Sequence, residues 1–251
     1  MNRKGVAELA GSAAVGAWTA FGVLALFVAG KKDSPRFLDH GLLAWSAGHR
    51  PKMAVAVARG LTATGTGVVP YALVVLAGLL AGRTRRQRLV GALLAAACLV
   101  TGQSVRYDVM ELIGRTRPPY ADWQTHASGW SFPSGHATTA ALTAGLVILA
   151  LCLRAPHGRL PLCLAAACWG AGVGLTRVFL GVHWFTDVLG GWLFAVGWLG
   201  AWLCAAARWL PARPVTGAGA PRPALIPDQA DVTLEKHAPQ DPHSRGRSRP
   251  A

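Results

Sequence analysis

Charge is scarce in this sequence. Only 14% of its 251 residues are Asp, Glu, Lys or Arg, and just 11 of them are acidic. An ordinary soluble domain carries about 25%. With 52% hydrophobic residues and a mean hydropathy of +0.35, too little polar material remains to cover a water-facing surface. The same composition excludes a disordered chain, a collagen and a coiled coil. Cysteine spacing offers no metal site either. Cys98, Cys152, Cys163, Cys168 and Cys204 all fall inside apolar runs at none of the usual zinc spacings, so they are expected to pack as small hydrophobes.

What the chain does have is long uncharged runs. Six of them, 9–30, 60–82, 89–105, 137–153, 160–176 and 188–207, predict an all-α polytopic membrane bundle of six transmembrane helices spanning residues 1–210. A 17-residue run makes a helix of about 26 Å, a little short for a hydrocarbon core of about 30 Å, so the third to fifth runs are marginal alone. The first run has a basic flank, but its apolar stretch is longer than that of a cleaved signal, and it reads as a retained anchor. Net charge is +14. The basic residues are scattered among apolar runs and form no single basic face, so nucleic acid is not the expected partner; short loops against anionic lipid are. Arg3, Lys4, Arg83, Arg85, Arg86, Arg88, Arg154, Arg159, Arg208 and Arg213 share one side of a six-span protein, which predicts a plasma-membrane protein with both termini cytoplasmic. The segment after the first run is also basic, and its stretch 37–45 reads as an amphipathic interfacial piece. Residues 211–251 hold eight of the 16 prolines and no apolar period, and are expected to form a disordered cytoplasmic tail. The Gly-rich stretches 60–67 and 170–174 follow no strand and are expected to serve close helix packing.

Most side chains able to do chemistry fall into two segments, 106–136 and 177–187. The fourth and fifth spans separate them, so two crossings bring both to one face, and the loop charges make it the extracytoplasmic face. His183 and Asp187 lie four apart at the start of the last helix, hence on one side of it. A carboxylate bonded to one imidazole nitrogen leaves the other a directed lone pair, as a nucleophilic histidine needs; an ion pair anchoring a helix end would use the same two residues. Arg177 suits a bidentate phosphate contact. Arg115 and Arg117 flank a helix end, and Pro133-Ser134-Gly135-His136 opens the next helix, offering a capping hydroxyl and backbone N–H groups to an anion.

These segments resemble the three signature motifs of the type 2 phosphatidic acid phosphatase (PAP2) superfamily: Lys-x6-Arg-Pro, Pro-Ser-Gly-His, and Ser-Arg-x5-His-x3-Asp. The second stands intact at 133–136. The third reads Thr176-Arg177-x5-His183-x3-Asp187. The first keeps Arg117-Pro118 but has Met110 where the family has lysine. The resemblance implies a PAP2/vanadium haloperoxidase-like helical core with no cofactor and no metal. It further implies that His183 attacks phosphorus to form a phosphohistidine, Asp187 orients its ring, and His136 acts as acid and then base. Arg117, Arg177, Ser134 and Gly135 would hold the phosphate oxygens. Arg106 lies one turn before Met110 and Arg115 in the turn after it, and one of the two is expected to substitute for the lysine. The implied substrate is a lipid phosphate of the bilayer: phosphatidic acid, phosphatidylglycerophosphate or a polyprenyl diphosphate. The loop 119–131, with Tyr120, Asp122, Trp123, His126 and Trp130, is expected to shape the headgroup pocket, with His126 facing solvent.

Three alternatives compete with this reading. His136, His183 and Asp187 also compose a two-histidine, one-carboxylate metal set. A haloperoxidase would hold vanadate with a similar set, though those relatives are soluble. Met110 in place of lysine also suits a catalytically weakened binder or scaffold of lipid phosphates.

Overall fold

A computed structural model describes residues 3–30, 37–154 and 158–209. The expected tail, 211–251, lies outside the described residues, as do Lys31, Lys32, Arg36 and His157. Among the described residues eight α-helices follow in order: α1 (Arg3–Ala29), α2 (Phe37–Gly48), α3 (Lys52–Ala63), α4 (Val68–Ala81), α5 (Arg85–Ile113), α6 (Gly135–Arg154), α7 (Leu160–Phe179) and α8 (Phe185–Trp209). A single 3-10 turn, Tyr120–Asp122, interrupts the loop between α5 and α6, and no strand occurs among the described residues.

Helices α1, α5, α6, α7 and α8 are each long and apolar enough to cross a membrane. The pair α3 and α4 meets the same length and apolarity together, with a bend of 50° at its break, and makes a sixth span when the two are counted as one. Outward-facing side chains such as Leu26 (76% exposed) and Leu112 (86%) would be an aggregation hazard in water and are ordinary against lipid.

Two spans differ from the pattern of uncharged runs. The run 60–82 is not one helix: it breaks at 64–67, where Thr64 turns its hydroxyl back to the Leu61 carbonyl (2.7 Å) and Gly67 takes a left-handed φ of 68°. Hydroxyls that bond locally compete with the helical ladder, and glycine adopts that φ without a Cβ clash. The run 89–105 is the middle of a longer helix. A capping box between Thr84 and Gln87 starts α5 before its arginines, and Gly114 in the αL conformation ends it. Its 29 residues span about 43 Å, so this crossing is not short.

Small residues let the spans approach closely. A Cβ on Gly200 would sit 2.8 Å from the Ala10 carbonyl oxygen, joining α1 to α8. One on Gly170 would sit 3.0 Å from Ala144 Cβ, joining α6 to α7. Lipid gives helices no hydrophobic reason to associate, so close backbone packing of this kind has to hold the bundle. The expected packing role holds for Gly65, Gly170, Gly172 and Gly174, each of which faces a neighbouring helix, and not for Gly60 and Gly67, which have open space where a Cβ would stand.

The spans alternate in direction. The end of α5, the start of α6, the end of α7 and the start of α8 therefore meet at one end of the bundle, with α2 bonded to α8 there through Asp39. Phe132, fully buried, stacks on Phe21 of α1 (5.7 Å between centroids) in a cluster with Phe194 of α8. That cluster anchors the loop leading into α6.

Candidate active site

The two polar segments do share a face. The Ser134 N–H donates to the Asp187 carbonyl (3.0 Å), and Arg117 Nη1 lies 2.9 Å from His183 Nε2. This is the hairpin geometry that the site requires.

His183 and Asp187 meet because α8 begins between them. Trp184 is the N-cap, and Asp187 at the third helical position accepts its backbone N–H through Oδ2 (2.9 Å), half of a capping box. The same Oδ2 lies 3.3 Å from His183 Nδ1. A guanidinium has only donors. Nε2 must therefore accept from Arg117, and Nδ1 carries the proton that it gives to Asp187. The tautomer is the one a nucleophilic Nε2 needs. Burial, then the charges of Arg117 and Arg177, holds His183 well below its ordinary value of 6.5, so the ring is neutral at ordinary pH.

Arg117 is itself fixed by backbone: Nε donates to the Gly129 carbonyl (2.9 Å) and Nη2 to those of Ser128 (2.7 Å) and Trp130 (3.0 Å). Burial works against its charge and Asp187 works for it, leaving it below the usual arginine value. Arg177 reaches from α7 to Thr62 of α3 (3.1 Å). Arg106 lays its guanidinium over the PSGH segment, where a Cβ on Gly135 would be 3.5 Å from its Cζ. Nη1 of Arg106 contacts Met110 Sδ at 3.2 Å. His136 lies within electrostatic reach of Arg177, His183, Arg117 and Arg106, and its Nε2 is 3.5 Å from the Thr66 hydroxyl at the α3–α4 break. Three guanidinia and two imidazoles thus surround one small region.

Ser134 departs from expectation in one respect. Its hydroxyl does not cap α6; it is fully buried and has no hydrogen-bond partner among the described residues, as is also true of Nε of Arg106 and Arg177. Unpaired polar groups of this kind are costly unless a ligand or water meets them.

Arg115 is elsewhere than the lysine's place. It is 1% exposed and donates through Nη1 to Asp187 Oδ1 (2.5 Å) and through Nη2 to Asp39 Oδ2 (2.8 Å). With both ends spent on carboxylates, it has no fork to offer a phosphate, and of the two candidates Arg106 alone faces the PSGH segment. Asp39 gave no sign of a role in the sequence: it is the only carboxylate of a short amphipathic stretch, and its partner lies 76 residues away.

Arg50 and Arg59 tie down the loop 119–131 by donating to the carbonyls of Asp122 (2.7 Å) and Gln124 (2.6 Å). A cleft of about 440 Å³ opens beside Arg117 between this loop, Trp184 and α2; Asp122 and Pro119 line it together with His40 and Leu43. His126 is exposed, as expected. Among the described residues no three His, Cys, Asp or Glu side chains group as metal ligands would.

Comparison with known proteins agrees with this geometry. The sequence profile of the PAP2 superfamily matches residues 88–211. Phosphatidylglycerophosphatase B of Bacillus subtilis (strain 168) is 33% identical over 147 residues, which cover 57% of this chain and 70% of that protein. Lipid A 1-phosphatase of Rhizobium etli is 37% identical over 95 residues, 34% of this chain and 37% of that one. The crystal structure of a transmembrane PAP2 type phosphatidylglycerolphosphate phosphatase from Bacillus subtilis matches with a TM-score of 0.65 at 27% identity, covering 77% of this chain and 93% of its own. Spans, motifs and relatives converge: this chain belongs to the PAP2 superfamily.

Proposed function

We propose that the protein is a membrane phosphatase that removes phosphate from a lipid phosphate monoester or diphosphate through a phosphohistidine on His183. The observation that carries this reading is the ring of His183, its Nδ1 committed to Asp187 and its Nε2 facing Arg117. A bound phosphate takes the guanidinium for its own oxygens and frees the Nε2 lone pair for attack. The N–P bond forms as the P–O bond to the lipid breaks, and His136 gives its proton to the departing oxygen. His136 then takes a proton from water, the water oxygen attacks phosphorus, and the N–P bond breaks to release inorganic phosphate. Arg106, Arg117, Arg177 and the Ser134–Gly135 segment stabilise the charge that gathers on the non-bridging oxygens. Arg106 stands in for the motif lysine. No step needs a metal, since the guanidinia do the work of charge neutralisation.

The active face is extracytoplasmic, because the arginine-rich turns (Arg83, Arg85, Arg86, Arg88, Arg154, Arg159) lie at the opposite end of the spans. The first substrate to test is phosphatidylglycerophosphate, on which the Bacillus subtilis relatives are named to act. Phosphatidic acid and a polyprenyl diphosphate complete the panel. Purified wild type in detergent micelles should release phosphate from one of them, resist chelators and be inhibited by vanadate, while His183→Ala should be inert. Binding of the lipid without release by wild type would make the protein a binder and overturn the hydrolase.

A further inference from the structure

We infer that Asp39 and Arg115 are positioning residues for the His183–Asp187 pair, so that the interfacial helix α2 forms part of the catalytic support. The inference rests on the reading of His183 as the nucleophile. Four groups stand in line. Asp39 bonds Arg115, Arg115 bonds Asp187, and Asp187 bonds His183, and all of them are at most 3% exposed. Two carboxylates share one guanidinium, so the excess buried negative charge is tolerated only if both aspartates find further hydrogen-bond donors. They do: the Thr186 N–H (2.9 Å) and hydroxyl (2.7 Å) go to Asp39, and the Trp184 N–H goes to Asp187.

The consequence is directional. Asp187 has two oxygens and could turn either toward the imidazole. Arg115 holds Oδ1 at 2.5 Å, which leaves Oδ2 for His183. Arg115 in turn is held by Asp39, its Nη1 also donating to Thr186 (2.7 Å). Asp39 meets the first turn of α8, where an anion is favoured by the helix dipole. It thereby fixes the end of the helix that carries Asp187. Among the described residues neither Asp39 nor Arg115 hydrogen-bonds Arg106, Arg117, Arg177 or His136, so altering either should change orientation and leave substrate affinity alone.

Asp39→Asn is nearly isosteric and tests this. Two readouts are needed: steady-state turnover of a lipid phosphate in micelles, and the tautomer of His183 from nitrogen chemical shifts of 15N-histidine-labelled protein in nanodiscs. We expect kcat to fall about 10- to 100-fold, as for other outer-shell partners, with KM within about twofold. We also expect the protonated-Nδ1 signal of His183 to weaken. Arg115→Lys keeps the charge but loses the fork, and should show the same two changes in smaller degree. A kcat and a tautomer both equal to wild type in Asp39→Asn overturn the inference. So does loss of folded protein in both variants, which would make the contacts a structural tie alone. If wild type turns over no lipid phosphate yet the tautomer weakens in Asp39→Asn, the phosphatase reading fails and the positioning role stands.

Discussion

At the scale of single residues, the balance of cations around the proposed phosphate site should decide most outcomes. Met110 is buried (6% exposed) and touches Arg106. An ammonium placed there would sit against a guanidinium already short of solvent. Met110→Lys alone should therefore lower activity or leave it unchanged, Arg106→Ala should cost about 10²-fold or more in kcat/KM, and the double variant Arg106→Ala/Met110→Lys should recover part of the loss. Recovery marks Arg106 as the lysine's replacement; full activity in Arg106→Ala removes that role. As the proposed nucleophile, His183 should set the acid side of the pH profile. Its folded value lies below the ordinary 6.5, so the ring starts to protonate only below that pH, and the acid limb of kcat/KM should fall under 6.5. The linked stability has the same sign: the neutral buried ring favours the folded state above about pH 6.5, and that advantage is lost as pH falls toward the folded value. Arg177 pushes His183 downward, so Arg177→Ala should move the acid limb up, readable even at reduced rate.

At the scale of elements, much was legible because helices and motifs are local. The 133–136 run, the i,i+4 pair at 183 and 187, and the apolar cores of all six spans could be read directly. The ends of α5 could not. Arg88 and Arg106 close an uncharged run, yet the helix passes both, since a capping box at Thr84 and a left-handed Gly114 set its ends. The break between α3 and α4 was hidden for the opposite reason: it carries no charge, and Thr64 to Gly67 read as apolar-compatible. Asp39 and Arg115 were illegible as partners because only the folded chain brings them together. Element packing also yields a prediction. A Cβ on Gly78 would lie 2.5 Å from the Ala92 nitrogen, so Gly78→Leu must push α4 from α5. The thermal midpoint in detergent should drop by the equivalent of about 1–3 kcal/mol, with activity per folded molecule nearly kept.

At the scale of the whole molecule, the bundle has one chemical end. Cysteines placed singly at exposed positions near Tyr120 and near Arg85 should label from opposite sides of intact cells, the Tyr120 site being reached by impermeant reagents from outside. Labelling of the Arg85 site instead would invert the orientation while leaving the pocket intact. The bent sixth span gives that end a further property. A backbone that leaves its helix inside a bilayer is tolerated where it lines a wetted cavity or is covered by protein. The Gly67 N-cap of α4 makes no side-chain cap bond, and Thr66 beside it meets His136. This interruption therefore sets two hydroxyls, those of Thr64 and Thr66, into an otherwise oily wall, and the second borders the histidine proposed to activate a solvent molecule.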